Sequence, residues 1–189
     1  MQKSLMAALL GALLVVPFAA QAEGSYVGVG VGQSEYRGIP TYGKLTETGV
    51  SLSYGVQMDK NFDIEGGYIN FGKAKGAVTV AGDANKLSLE SQAVYLAAIG
   101  KLSVAEGLTA YGKLGAAVAY TKANTTDTIA GVTTALSDSK TKLTPVIGVG
   151  LSYQFTKEIS GLVDYTYFDK ISDGSLKMSM WSLGLRYHF

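Results

Sequence analysis

From residue 23 onward the apolar residues of this chain alternate with glycine, serine and polar residues at period two, and no stretch repeats at the helical period of 3.6. Alternation of this kind belongs to β-strands with two unlike faces, because successive side chains point to opposite sides of the pleat. The pattern predicts eight strands, at 25–36, 48–57, 62–71, 87–102, 108–120, 143–155, 159–168 and 176–189. Most run about 10 to 14 residues, longer than the roughly 5 to 6 of globular sheets and close to the roughly 9 to 11 that cross a bilayer when tilted.

The connections alternate in length, and this predicts the topology. Met58-Asp59-Lys60-Asn61, residues 103–107 and Thr156-Lys157-Glu158 are tight turns; 37–47, 72–86 and 121–142 are long, and 169–175 is intermediate. That asymmetry describes an all-β, eight-stranded antiparallel up-and-down transmembrane β-barrel, with turns and both mature termini in the periplasm and loops outside the cell. The faces point the same way. Trp181, Leu183, Leu185, Tyr187 and Phe189 oppose Ser182, Gly184, Arg186 and His188; Val50, Leu52, Tyr54 and Val56 oppose Gly49, Ser51, Ser53, Gly55 and Gln57; Val163, Tyr165 and Tyr167 oppose Ser160, Asp164 and Thr166. A soluble barrel would turn the apolar set inward, but the other set is small and charged, too polar for a dry core, so the apolar set is expected to face lipid. Aromatic residues near strand ends then form girdles. In the fourth strand the favoured parity sends Val94, Leu96, Ala98 and Leu102 to lipid and Tyr95, Ala97, Ile99 and Lys101 inward, where the lysine can find carboxylates.

The first residues change the picture of compartment. Lys3, an apolar run of about a dozen residues from Leu5 to Val16, Pro17 and the small-residue pattern Ala20-Gln21-Ala22 predict a signal peptide at 1–22, cleaved before Glu23 to leave the barrel at 23–189. The apolar run is well short of the roughly 20 residues a spanning helix needs. Of 16 basic residues, 15 remain without Lys3, against 15 acidic ones, so the mature chain is formally neutral and no nucleic-acid partner is expected. With Cys 0, no disulfide and no lipidated cysteine is available, and stability must come from burial and a closed hydrogen-bond ladder.

Specific strings carry a family resemblance. LTPVIGVGLSYQFTKEISGLVDYTYFD at 143–169, MWSLGLRYHF at 180–189 and GLTAYGKLG at 107–115 resemble the transmembrane domain of the outer membrane protein A family. The resemblance covers the mature chain and implies an eight-stranded barrel in the bacterial outer membrane with roles in envelope integrity, at most a narrow pore, and surface attachment. The chain stops at the barrel, so the peptidoglycan-binding domain of longer members is not expected. Terminal Phe189, with Tyr187 two positions before it, resembles the signal by which the barrel-assembly machinery recognises its clients. Glu65 matches a lumenal glutamate of the family, and Lys113 and Asp164 match lumenal charged positions. The family's basic partners, however, fall at Ile99 and Leu162 and another acidic position at Ser152, so its charge-pair gate does not carry over.

Candidate chemistry is sparse. The only histidine, His188, lies at the end of the last strand opposite the rim where barrel hydrolases place theirs, and is read as a lumen-facing terminal residue. No His/Asp/Glu cluster has metal-ligand spacing, and neither a cofactor nor an enzymatic activity is expected. Gly28-Val29-Gly30-Val31-Gly32 and Gly148-Val149-Gly150 are not followed by helices, so they read as inward glycines making room for bulkier neighbours rather than phosphate-binding loops. The polar connections 72–86 and 121–142 are expected to be solvated and mobile, and 121–142 is the first candidate for a host or extracellular-matrix ligand.

Inside the barrel, Glu65 is the fourth residue of its strand and Arg186 the fourth from the end of its own, which places them at one depth; Lys113 and Asp164 are each sixth, roughly 7 Å higher. A lumen this narrow excludes most water, so these four side chains are expected to neutralise one another in a connected plug. The leading expectation is a structural outer-membrane barrel embedded among outer-membrane lipid and lipopolysaccharide, with surface loops for adhesion. A narrow channel for ions or small solutes is the alternative.

Overall fold

The computed structural model describes residues 24–39, 43–80, 83–129, 132–169 and 176–189. The expected signal peptide, 1–22, lies outside the described residues, as does 170–175 within the last connection. The strands are β1 (Ser25–Ile39), β2 (Gly43–Gln57), β3 (Phe62–Val80), β4 (Asp83–Ala105), β5 (Leu108–Ile129), β6 (Val132–Gln154), β7 (Ile159–Phe168) and β8 (Lys177–His188). Each pairs antiparallel with its sequence neighbours, and β8 returns to β1 to close the barrel. Closure pairs the backbone groups within the barrel wall, which hydrocarbon requires.

The alternation sorts the two faces as expected. One row of Cα partners runs Leu185, Val29, Leu52, Tyr68, Val94, Val118 and Leu143 around most of the wall, and every member is apolar or aromatic. Leu96, Leu114 and Leu183 each leave about two thirds of their surface exposed, at 64%, 66% and 64%. A continuous apolar wall of this extent exceeds the few hundred Å² that a soluble monomer presents, so it faces lipid. In β4, Tyr95, Ala97 and Ile99 are buried and Leu96 and Leu102 exposed; Lys101 turns inward to Asp63, Nζ to Oδ1 2.5 Å.

The tight turns explain themselves locally. Asp59 Oδ1 accepts the backbone N–H groups of Asn61 (2.6 Å) and Phe62 (2.9 Å), and Thr156 Oγ1 accepts those of Glu158 (3.2 Å) and Ile159 (3.1 Å). Both are side-chain-capped turns that need no longer loop. The aromatic pairs Tyr153–Phe155 and Tyr187–Phe189, with centroids 5.4 and 5.2 Å apart, point outward near this end as a girdle does.

Two expectations are corrected at the other end. The segments read as mobile loops, 72–86 and 121–142, are largely strand: β3 pairs with β4 as far as Val80 and Asp83, and β5 with β6 as far as Ile129 and Val132. Beyond the bilayer the outer face of a strand meets water rather than hydrocarbon, so the outward apolar row gives way to residues such as Lys73, Lys75 and Lys122 while backbone pairing continues. A four-stranded sheet, β3 to β6, therefore stands above the lipid belt. Pairing of β7 with β6 stops at Val146 with Phe168, next to Pro145, which has no N–H to offer a further ladder bond.

The second correction concerns the lumen, whose upper part is a dry core after all. Tyr36, Phe71 and Phe168, near strand ends and expected among the girdles, point inward and are fully buried with Ile69, Val146, Met178 and Met180. Phe71 meets Phe168 edge-on at 5.2 Å, and the Tyr36 hydroxyl donates to the Gly72 carbonyl at 2.9 Å. These side chains share the inward parity of their strands, as Phe71 does with Glu65 and Phe168 with Asp164, and assigning strand-end aromatics to girdles as a group overlooks it.

Candidate functional site

Below this apolar layer the lumen holds a charged one. Glu65 on β3 is 1% exposed and receives four donors: Arg186 Nη2 and the Tyr26 hydroxyl reach Oε2, both at 2.9 Å, while the Tyr95 hydroxyl (2.7 Å) and Lys113 Nζ (3.1 Å) reach Oε1. Lys113 also lies 3.7 Å from Asp164 Oδ1, which accepts the Tyr111 hydroxyl at 2.9 Å; Thr166 donates to Asp164 Oδ2 at 2.5 Å. The structure thus brings Glu65, Lys113, Asp164 and Arg186 into one network, with Glu65 rather than a pair of separate bridges at its centre. Taking each of these charges out of water costs several kcal/mol, and two acids and two bases in contact, with hydroxyl donors on both carboxylates, are the arrangement that offsets it, although Arg186 Nε stays buried without a hydrogen-bond partner among the described residues.

The three tyrosines are what the sequence reading missed. Tyr26, Tyr95 and Tyr111 are each the direct Cα partner of a glycine on the neighbouring strand: Gly55, Gly67 and Gly150. A Cβ built on those glycines would sit 2.0, 2.4 and 2.4 Å from the ring atoms, so each ring lies across the bare backbone of its partner strand. In that posture the hydroxyl reaches a carboxylate and the ring face meets a cation. Arg186 lies 4.4 Å from the Tyr26 centroid and 5.0 Å from that of Tyr111, and Lys113 lies 4.9 Å from that of Tyr95. The signal was an inward-parity tyrosine facing an inward-parity glycine, legible only once the register is known.

Towards the short turns the polar filling continues with Lys101 and Asp63, and Ser160 Oγ lies 2.9 Å from His188 Nε2. His188 is half-buried against the Tyr26 ring, 5.7 Å between centroids. Beside the network, Gly28, Ser53, Lys113, Met180 and Ser182 line a cavity of about 30 Å³, room for a water molecule or two. Tyr187 and Phe189 stay on the outer wall, half-exposed, at the end of β8.

A closed antiparallel barrel with an apolar outer wall and a filled, charge-paired interior defines an integral β-barrel protein of the bacterial outer membrane. The chain belongs to the outer membrane protein beta-barrel domain family, whose model matches residues 5–189. It is 28% identical to outer membrane protein A of Serratia marcescens over 98% of its own length, and spans 55% of that relative's length. Among solved structures, Ail, the attachment invasion locus protein of Yersinia pestis, superposes with a TM-score of 0.59 at 20% identity, covering 88% of this chain and 99% of Ail. Neisserial surface protein A gives 0.59 at 16% identity over 88% of this chain and 98% of its own. Ail has also been solved in complex with the heparin analogue sucrose octasulfate. At these identities the two solved barrels share the fold.

Proposed function

We propose that this protein is a non-enzymatic, non-conducting structural barrel that presents a β-sheet at the cell surface for adhesion or surface recognition. The observation that carries the reading is the double filling of the lumen. The charged layer around Glu65 and the apolar layer of Tyr36, Phe71, Phe168, Met178 and Met180 lie one above the other, and the cavity lined by the charged side chains holds about 30 Å³. An eight-stranded barrel has an interior just wide enough for its own side chains. An ion would have to displace both layers, one by breaking ion pairs and one by wetting a hydrophobic constriction.

In this reading the short turns and both mature chain termini face the periplasm, and the β3–β6 sheet projects outside. Among the described residues, β6 above Val146 is paired only on its β5 side. An open strand edge of this kind can accept an extended segment of another protein, which supports the adhesion role. Segment 1–22 serves as the export signal, and Tyr187 and Phe189 as the determinant read by the barrel-assembly machinery.

Planar-bilayer recording tests the central claim. The wild type and Glu65→Ala are expected to be silent, and conductance is expected only when Glu65→Ala is combined with Phe71→Ala and Phe168→Ala. Sizeable conductance of the wild type would replace this reading with the narrow channel.

A further inference from the structure

Three outward-facing cations at the hairpin end are matched by an acid. Arg37 and Lys44 both pair with Glu35, and Lys177 lies 3.8 Å from Asp169. Lys73 and Lys75 on β3 and Lys122 on β5 differ. All three are exposed, and among the described residues none has a carboxylate within ion-pair distance.

Their placement is set by the register. Lys73 is the Cα partner of Glu90, and Glu90 of Lys122, so the two lysines stand roughly 10 Å apart in one row across three strands. Lys75 lies one outward step above, partnered by Ser88. Ala74 and Thr121, between them in sequence, are buried, which fixes the lysines on the outer face. One outward step below the row come Asn70, Gln92 and Tyr120, and below those Tyr68, Val94 and Val118, where the apolar wall begins. Glu90 is the one acidic side chain in the row, so the patch keeps an excess of two positive charges.

We propose that Lys73, Lys75 and Lys122 form a binding site for the phosphate-bearing headgroup of an outer-leaflet lipid whose acyl chains lie along the wall beneath. This rests on the orientation given above, with the hairpins outside. The position selects the ligand: cations two outward steps above the apolar wall, with only the polar row of Asn70, Gln92 and Tyr120 between, meet lipid phosphates, while a soluble polyanion would gain nothing from the wall below. The Asn124 side chain, on the same face beside Ser88, adds hydrogen-bonding capacity around the headgroup.

The test is lipid retention by the folded protein in detergent micelles, read by native mass spectrometry. The probe is bisphosphorylated lipid A, compared with its dephosphorylated form, with inorganic phosphate and with sucrose octasulfate. Each lysine is expected to contribute roughly fivefold, so K73Q/K75Q/K122Q should lose on the order of a hundredfold in retention of the phosphorylated lipid. K60Q/K157Q, at the opposite end, should lose none. All three lysines are exposed, and unchanged heat-modifiable migration on gels would show that the triple variant folds. Equal retention by wild type and triple variant, equal retention of the dephosphorylated lipid, or capture of inorganic phosphate or the sulfated sugar in preference to the lipid would each overturn the proposal. Micelles impose no orientation, so a failure here is separate from a failure of the topology, which labelling of intact cells reads independently.

Discussion

Arg186 of the last strand crosses the barrel interior to place Nη2 2.9 Å from Glu65 Oε2, joining residues 121 positions apart in the chain. Neither residue is attached to the other's strand: β8 pairs with β1 and β7, and β3 with β2 and β4. The contact therefore exists only when the barrel is closed, and it ties closure to the neutralisation of a buried carboxylate.

Removing that carboxylate should show its weight. Glu65→Gln leaves Lys113 and Arg186 facing each other without their shared acid, and breaking a buried ion pair from one side costs about 3 to 5 kcal/mol. Glu35→Gln removes an acid whose partners, Arg37 and Lys44, are exposed, and should cost under about 1 kcal/mol. Urea titration of reversible folding into lipid vesicles measures both, and equal costs would mean the network contributes nothing.

The tyrosine–glycine contacts predict a sharp contrast among glycines. A Cβ at Gly67 would lie 2.4 Å from the Tyr95 ring, so Gly67→Ala should cost about 1 to 3 kcal/mol through overpacking. At Gly112 nothing lies within 4 Å of the added carbon, and Gly112→Ala should be neutral or stabilising by about 0.5 to 1 kcal/mol. A double-mutant cycle of Gly67→Ala with Tyr95→Leu should recover part of the loss, because the smaller side chain vacates the space. Strict additivity in that cycle would show that the ring does not lie on Gly67.

The lipid wall predicts a dependence on height. Leu52→Arg puts a charge in the apolar row and should cost on the order of 2 to 4 kcal/mol, falling towards about 0 to 1 at the interface. Ser139→Arg faces outward in the row of Lys122, above the belt, and should fall at the low end. The same vesicle titration reads both. A cost at Ser139 matching that at Leu52 would place the belt boundary higher than the register indicates.

Orientation is open to a clean chemical experiment because the chain has no cysteine of its own. Thr134→Cys, exposed on β6, should react with a membrane-impermeant maleimide on intact cells, and Glu106→Cys, in the turn between β4 and β5, should react only after the outer membrane is breached. The opposite pattern would invert the topology.

Much of this protein is written in the order of its residues. A period of two, carried by runs such as Trp181, Leu183, Leu185 and by the glycines and serines between them, is enough to give strands, their number, and the face that meets lipid. Each of those follows from the pleat of a single strand and the chemistry of its two sides. Glu65, Lys113, Asp164 and Arg186 could also be singled out, since inward charges in a narrow lumen must find each other. What the sequence could not carry is anything set by the relation between strands. The continuation of β3 to β6 above the membrane leaves no apolar outward row in the sequence, because pairing uses the backbone and the outer face there no longer has to be apolar. That Tyr36, Phe71 and Phe168 close the upper lumen while Tyr153 and Phe155 line the outer wall is a matter of parity at strand ends, where a one-residue error reverses the direction. The seating of Tyr26, Tyr95 and Tyr111 on Gly55, Gly67 and Gly150 depends on register between neighbours, and register is decided only when all eight strands close on one another and the inward side chains have to share a single lumen.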